Sequence, residues 1–156
     1  MEMKLPVGFR FRPTDEELMV HYLRRKARSL PLPASIIPEL DVFHSDPWSL
    51  PGDLSEKRYY FWKKKLNSNR KIYYETSSGY WKCNNSSRRK GKQIVASISE
   101  QINYDNNHGN PVVIGTRKMW TFHRYRGRQT ATSSAAARTS KTRWVFHEFH
   151  LREEVY

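Results

Sequence analysis

The chain has 156 residues, a formal net charge of +13 at pH 7 and a single cysteine. A chain of this length has the size of one domain, and we expect a single domain over residues 1–156. Such a domain buries about 68–70% of the surface that its unfolded form exposes. One cysteine excludes an intramolecular disulfide and a cysteine-rich zinc site, which is typical of a reducing compartment. No apolar run reaches the roughly 18 residues of a membrane span, so we expect no membrane partner.

The positive charge is concentrated in the middle of the chain. Residues 57–147 hold 20 Lys or Arg against 3 acids, whereas 1–56 and 148–156 each have a net charge of −2. The same middle segment contains many large aromatic side chains, which is too much apolar surface for a disordered segment. The sequence therefore predicts a folded basic surface that binds a polyanion.

The first predicted element is a helix that begins after Thr14. Thr14 and Glu17 have the spacing of a capping box, in which the hydroxyl and the carboxylate each bond a backbone amide at the helix start. Apolar residues at 18, 19, 22 and 23 form one stripe, and Leu30-Pro31-Leu32-Pro33 is expected to end the helix. Further on, 46–52 predicts a turn or a single helical turn, with Trp48 as a core anchor.

The periodicity changes to that of strands after residue 57. Short aromatic or β-branched runs alternate with Asn, Ser and Gly, the pattern of an antiparallel sheet; the runs are 58–63, 71–74, 79–83, 93–97, 112–117, 119–125 and 143–151. Two polar stretches, 103–110 and 129–140, are predicted to be loops. The predicted class is α+β: a twisted antiparallel sheet flanked by short N-terminal helices.

Catalytic and metal chemistry is poorly supported. His147 and His150 lie at i, i+3 in a strand-like run, which places them on opposite faces, unlike the i, i+4 helical pair of zinc proteases. Cys83 has no placed base and is better interpreted as a structural thiol than as a nucleophile. We expect no enzymatic activity, no metal and no cofactor.

The segment Gly79-Tyr80-Trp81-Lys82-Cys83-Asn84-Asn85 precedes the basic cluster Arg88-Arg89-Lys90-Gly91-Lys92. Two aromatics could hold a strand to the core while Lys82, Asn84 and Asn85 project outward, and Lys and Asn can contact guanine and adenine edges in a major groove. A sheet edge can enter that groove as a helix does. A core strand with a polar tail is about equally compatible with this segment taken alone.

Four motifs in order resemble the plant NAC transcription factors: Leu5 to Leu18 (LPVGFRFRPTDEEL), Asp46 to Pro51 (DPWSLP), Gly79 to Lys82 (GYWK) and Lys141 to Leu151 (KTRWVFHEFHL). The resemblance implies a dimer through an arm at about 5–17, with Arg10 facing Glu17 of the partner subunit, and a strand after Gly-Tyr-Trp-Lys in the DNA major groove. The sequence departs from the family's usual Ala-Thr-Gly-x-Asp-Lys at 83–88. The implied dimer residues are Leu5, Pro6, Gly8, Phe9, Arg10, Thr14 and Glu17.

Some residues are predicted to contact DNA from their own chemistry and others from the resemblance. Lys71 takes the place of a family arginine, Arg117 and Lys118 match a later basic pair, and Arg124 and the Lys/Arg residues among 63–65 and 70 add phosphate contacts. Beside these additional phosphate contacts, the main predicted set of DNA-contacting residues is Lys71, Lys82, Cys83, Asn84, Asn85, Arg88, Arg89, Arg117, Lys118, Arg126 and Arg128.

The leading functional hypothesis is a nuclear transcription regulator that binds double-stranded DNA sequence-specifically as a homodimer, or as a heterodimer with related family members. The alternative is a dimerisation module that titrates related transcription factors without reading their sites. A third hypothesis is a single-stranded nucleic-acid binder that stacks bases on exposed aromatics.

Overall fold

A short helical segment precedes five β-strands in the part of the chain that the computed structural model describes, namely 6–65, 71–84, 92–96, 112–127 and 138–152. The helical elements are α1 (Asp15–Glu17), a π-helical stretch (Leu18–Leu23), α2 (Arg24–Ala27) and a 3-10 turn (Pro47–Ser49). The strands are β1 (Tyr73–Glu75), β2 (Gly79–Cys83), β3 (Lys92–Ala96), β4 (Val112–Tyr125) and β5 (Thr139–Leu151). Strands β1 to β4 pair antiparallel, which confirms the predicted α+β class.

Contacts between residues divide the chain into two units. The first comprises Met1–Ile36, Arg89–Lys118 and Glu148–Tyr156, and the second comprises Ile37–Arg88 and Met119–His147. Strands β4 and β5 each contribute residues to both units.

The helical segment of the first unit begins as the capping box predicts. The Glu17 amide donates to Thr14 Oγ1 at 3.2 Å, and the Thr14 amide donates to Glu17 Oε2 at 3.1 Å. Of the predicted apolar stripe, Met19 and Tyr22 are buried, and the Tyr22 ring packs edge-on against Phe11 at 5.2 Å. The stripe is thus confirmed as the buried side of the helix.

The helix ends earlier than the proline-containing segment at 30–33. α2 stops at Ala27 because Ser29 adopts a left-handed conformation with φ of 53°. The Ser29 amide then donates to the carbonyl of Lys26, and the Leu30 amide donates to that of Arg25, the two bonds of a Schellman motif. The prediction that the prolines end the helix is therefore wrong in position and in cause.

In the first unit β3 pairs with the first half of β4, from Lys92 opposite Arg117 to Ala96 opposite Val112. The Arg152 amide donates to the carbonyl of Ile114 at 3.0 Å. A Cβ on Gly115 would come 2.2 Å from both the His150 carbonyl oxygen and Met19 Cε. Only glycine therefore permits this close approach of β5 backbone and helix side chain to β4.

In the second unit β2 pairs on one edge with β1 and on the other with the second half of β4. Tyr74 lies opposite Trp81, and Trp81 lies opposite Phe122. These residues are buried, as are Phe43 and Trp120, and the Trp81 and Phe146 rings stack at 3.9 Å. One face of this sheet thus carries an aromatic core. The opposite face is called the outer face and carries Tyr80, Lys82, Thr121 and His123.

The 3-10 turn confirms the turn predicted at 46–52, but Trp48 is not a core anchor. Its ring is 37% exposed and packs edge-on against Phe122 at 5.6 Å, while the preceding Pro47 is buried. The Asp46 side chain fixes the β1–β2 turn, since Ser78 donates to it from its hydroxyl at 2.7 Å and from its amide at 3.2 Å. Asp46, which directly precedes the 3-10 turn, thereby helps to fix the start of β2.

Two strand predictions need correction. Residues 58–63 form no strand: Phe61 makes one isolated parallel bridge with Glu39, and the Arg58 guanidinium donates to the carbonyls of Leu50 and Pro47 at 2.8 and 3.1 Å. The predicted runs 112–117 and 119–125 are one continuous strand, β4. The loop predicted at 103–110 lies outside the described residues, and most of the one at 129–140 does too, although Thr139 already begins β5.

Candidate nucleic-acid interface

Strand β2 alternates between core and outer face. Of the two aromatics predicted to hold it to the core, only Trp81 does so, because Tyr80 lies on the outer face and stacks on His123. Gly79, Trp81 and Cys83 are buried, whereas the Lys82 side chain is exposed. The tight pairing with β4 requires glycine at 79, because a Cβ there would lie 2.0 Å from the carbonyl oxygen of His123. The strand therefore holds the ammonium group of Lys82 on the outer face.

The side chain of Cys83 is not available for a base contact. It lies on the same side of β2 as Trp81, opposite Trp120, and is 6% exposed. The prediction that the Cys83 side chain contacts DNA is therefore corrected. Successive side chains of a strand point to opposite faces, so Cys83 follows the exposed Lys82 into the core. The thiol contributes to the core cluster instead.

Asn84 lies on the outer face, next to Lys82, and its amide group is oriented by Thr121. Asn84 Nδ2 donates to Thr121 Oγ1 at 2.9 Å, and that hydroxyl lies 3.1 Å from Asn84 Oδ1. An asparagine amide has two donor hydrogens and two acceptor lone pairs, so capacity remains for a further partner. Thr121 lies opposite Lys82 on the same face and is 2% exposed, so its hydroxyl is covered by neighbouring groups.

Two cationic side chains of β5 join this outer face. Along β5, Lys141 and Arg143 are exposed and alternate with the half-buried Thr142 and Trp144. Neither residue is among the predicted DNA contacts. The sequence signal that could have identified them is the alternation Lys-Thr-Arg-Trp in the closing motif. In a strand that packs Thr142 and Trp144 against a core, Lys141 and Arg143 point to the opposite face.

His123 lies on the outer face near Lys82 and Lys141. Its ring stacks on that of Tyr80, its partner across β2 and β4, with centroids 5.1 Å apart and 4° between the planes. Burial lowers the pKa of His123 below its ordinary value, and the charges of Lys82 and Lys141 lower it further. The imidazole is therefore mainly neutral, although its surroundings are positively charged.

The predicted basic pair Arg117 and Lys118 lies in the first unit. The Arg117 guanidinium forms an ion pair with Asp15 at 2.8 Å, which joins β4 to the first turn of the helix. Lys118 is half-buried. Arg117 thus has a structural partner that the sequence pattern did not reveal.

The other predicted cations of the second unit lie at several sites. Lys71 is exposed, with Nζ 5.4 Å from the Tyr74 ring centroid, and Arg124 lies over the Trp48 ring at 5.1 Å. Arg126 is exposed, and its amide donates to the carbonyl of Arg138 at 2.7 Å. The predicted contacts Asn85, Arg88, Arg89 and Arg128, together with Arg70, lie outside the described residues.

The arm expected to form a dimer exposes apolar side chains. Val7 and Phe9 are 104% and 72% exposed, on either side of Gly8, whose φ of 90° favours glycine. The Phe9 amide donates to the carbonyl of Pro6 at 3.0 Å, which closes a turn. Glu17, predicted to face Arg10 of the partner subunit, already accepts from Thr14 in its own chain; Leu5 lies outside the described residues.

Within the described ranges, no three His, Cys, Asp or Glu side chains form a cluster that could hold a metal ion. His147 is exposed and His150 half-buried in β5, in keeping with opposite faces of a strand. In the same ranges no helix has the length and apolar content needed to cross a bilayer.

Comparison with known proteins agrees with this architecture. The family described as No apical meristem (NAM) protein matches residues 6–151. The chain is 46% identical over 129 residues to NAC domain-containing protein 41 of Arabidopsis thaliana, covering 80% of this chain and 46% of that protein. It is 42% identical over 158 residues to NAC domain-containing protein 83 of the same plant, covering 97% of this chain and 60% of that protein.

A rice relative, NAC transcription factor ONAC010 of Oryza sativa subsp. indica, is 39% identical over 155 residues, which cover 96% of this chain and 31% of that protein. The chain thus spans between 31% and 60% of the length of these three relatives. Because the family match extends over nearly the whole chain, this protein belongs to the No apical meristem (NAM), or NAC, family of plant proteins.

Proposed function

We propose that this chain is the DNA-binding domain of a nuclear transcription regulator that binds double-stranded DNA sequence-specifically as a dimer. The observation that carries the proposal is the outer face of the second unit, where Lys82, Lys141 and Arg143 are exposed together on the sheet. Relatives named as transcription factors support the same interpretation. A cationic sheet face can neutralise phosphates and steer a duplex to the protein.

Distinct contacts are assigned to the two kinds of side chain. Lys82 and Asn84 lie side by side at the end of β2 and have the donors and acceptors to contact base edges. The ammonium group of Lys82 has three donor hydrogens, so it can also donate to a neighbouring phosphate. Lys71, Arg126, Lys141 and Arg143 are exposed cations suited to phosphates. Asn85, Arg88, Arg89 and Arg128 stay sequence-based predictions for the same interface.

Dimerisation is assigned to the arm at about 5–17. Exposed apolar side chains at Val7 and Phe9 would be removed from water by a second copy of the arm, which is the expected use of a protruding apolar pair. A two-fold interface also repeats each contact, so that a single Arg10–Glu17 pair would occur twice.

The second candidate function is a dimerisation module that does not read DNA. The observation in its favour is that Cys83, directly after Lys82, is buried and so contributes no side chain to an interface. This candidate keeps the arm as its active surface and predicts no sequence preference.

A binding experiment separates these functions. The purified chain is mixed with a randomised duplex pool in the presence of single-stranded competitor, and bound sequences are counted. Enrichment of one motif supports the proposal, dimerisation without enrichment supports the module, and preference for the competitor supports single-strand binding.

A matched pair of charge reversals locates the binding face. Lys141→Glu is expected to weaken duplex binding, whereas Lys57→Glu, at an exposed position outside the strands, changes net charge equally and should have a smaller effect. Equal losses in both variants would mean that net charge, not this face, drives binding.

A further inference from the structure

Three basic side chains from neighbouring strands meet on the outer face of the second unit. In the β2–β4 register, Tyr80 lies opposite His123 and Lys82 lies opposite Thr121. Residues directly opposite in an antiparallel pair share a face, and those two positions further along are diagonal neighbours within reach of long side chains. Lys82 is therefore the diagonal neighbour of His123.

Lys141 reaches His123 from the other side. The Arg126 amide donates to the Arg138 carbonyl at 2.7 Å, and Thr142 Oγ1 donates to the Phe122 carbonyl at 2.8 Å. An antiparallel count from the first bond places Lys141 opposite His123. Lys82 and Lys141 thus flank the imidazole from β2 and β5, and both are exposed.

The charged and titratable groups around this cluster come from each adjoining strand. Tyr80 stacks on His123, Tyr125 lies 6.0 Å from Tyr80, and Glu75 of β1 is opposite Tyr80 and so lies beyond that ring. Among the described residues, no carboxylate forms an ion pair with Lys82 or Lys141. Burial and the two lysine charges lower the pKa of His123, so the ring is mainly neutral while the cluster holds no anion.

We propose that Lys82, His123 and Lys141 form a phosphate-binding site on this outer face, and that a backbone phosphate of bound DNA occupies it with uptake of one proton by His123. The inference rests on the proposed function, whose interface it extends to a titrating residue. The phosphate oxygens accept hydrogen bonds from the two ammonium groups. Their negative charge offsets the effects of burial and of lysine repulsion, which together keep the imidazole neutral. The proton comes from solvent, and the ring then donates from a nitrogen as an imidazolium.

Proton uptake makes DNA affinity depend on pH with a defined sign. The bound state holds one more proton than the free state, so affinity rises as pH falls through the range between the free and bound pKa values of His123. The dependence is at most about tenfold per pH unit for one proton.

The test compares three proteins by fluorescence anisotropy on a duplex selected from the randomised pool, at constant ionic strength. Between about pH 8 and about pH 6, on the two sides of an ordinary histidine pKa, the unaltered chain should gain about 3–10-fold in affinity. His123→Gln should lose most of this gain. His44→Gln, which removes a surface imidazole 2.9 Å from Asp41 in the same unit, should keep it.

An unchanged pH dependence in His123→Gln would overturn the inference while leaving duplex binding, and so the proposed function, intact. Absence of duplex binding by the unaltered chain at both pH values would instead overturn the proposed function and the inference together. The thermal unfolding of both variants is recorded so that a folding defect is not mistaken for a binding effect.

A second readout follows the imidazole itself. The titration of His123 is measured by NMR in the free chain, with the duplex, and with inorganic phosphate alone. The duplex should raise the pKa of His123, which identifies nucleic-acid phosphate as the occupant. A rise with inorganic phosphate but none with the duplex would assign the site to a free phosphate or phosphorylated small molecule and overturn the inference.

Discussion

The amide of Asn84, directly after β2, donates from Nδ2 to the hydroxyl of Thr121 in β4 at 2.9 Å. Thr121 is almost completely buried, so its hydroxyl has a fixed position from which to orient the amide. Orientation by a buried partner is what a base-contacting asparagine needs, since bidentate contacts to adenine depend on the plane of the amide.

Replacement of Thr121 by Val is expected to reduce base preference without removing any side chain that touches DNA. The valine removes the hydroxyl, so the Asn84 amide is free to rotate and its contribution of about 1–3 kcal/mol to discrimination should fall. Thr121→Ser keeps the hydroxyl and is the matched control. Sequencing of the selected duplex pool measures the preference at each position; identical motifs for Thr121→Val and Thr121→Ser would show that Asn84 does not read a base.

The helix start, β2 and β5 could be predicted from the sequence because each depends on neighbours along the chain. The Thr14–Glu17 box is complete within four residues, and Trp81 and Lys82 lie inside and outside as predicted. The adjacent Tyr80, predicted to lie in the core, instead shares the outer face with Lys82, since successive side chains of a strand alternate. The end of the helix at Ala27 depends on the left-handed conformation of Ser29. This position is usually glycine, so the serine gives little sign of it in the sequence.

The misses in the candidate site have a common cause, namely contacts between residues distant in sequence. Arg117 pairs with Asp15 across 102 positions, and Asn84 bonds Thr121 across 37. No local pattern contains such pairs. The cluster around His123 likewise exists only because β2, β4 and β5 are neighbours, so a scattered histidine in the sequence becomes part of a basic surface in the fold.

Trp81→Ala should behave as a folding defect. The Trp81 side chain is 0% exposed, stacks on Phe146 at 3.9 Å and donates from Nε1 to the Ser45 carbonyl at 3.2 Å. Loss of a buried aromatic costs about 3–5 kcal/mol in the free energy of unfolding. Urea denaturation measures it, with Tyr73→Ala, 55% exposed, as a control expected to change stability by about 0.5 kcal/mol or less. Similar values for the two variants would contradict the placement of Trp81 in the core.

Arg10→Glu is expected to weaken dimerisation, because a two-fold interface would then bring the introduced carboxylate against that of Glu17 in both copies. An exposed ion pair contributes only about 0.2–1 kcal/mol to the free energy of association. The substitution, however, changes an attraction into a repulsion at both symmetric copies of the pair. Light scattering at roughly tens of micromolar, a range suited to interfaces of modest area, measures the association.

The compensating change must respect the second role of Glu17. Glu17→Arg in the Arg10→Glu background should restore association only in part, since it also removes the acceptor of the Thr14 amide in the capping box. Glu17→Gln keeps that acceptor and removes only the charge, so it separates the two roles. A chain that is monomeric without any substitution would rule out the dimer.

The salt dependence of duplex binding reports how many phosphates the basic face neutralises. About 6–10 phosphate contacts per dimer would give a slope of log affinity against log salt concentration of about −5 to −9. Lys141→Ala and Arg143→Ala remove exposed cations of β5 and should each make the slope shallower by about 1 per lost contact in one copy, or about 2 per dimer. Thr121→Val removes no charge and should leave the slope unchanged, even where it alters base preference. A slope shallower than about −2 in the unaltered chain would mean that the outer face does not hold the DNA backbone.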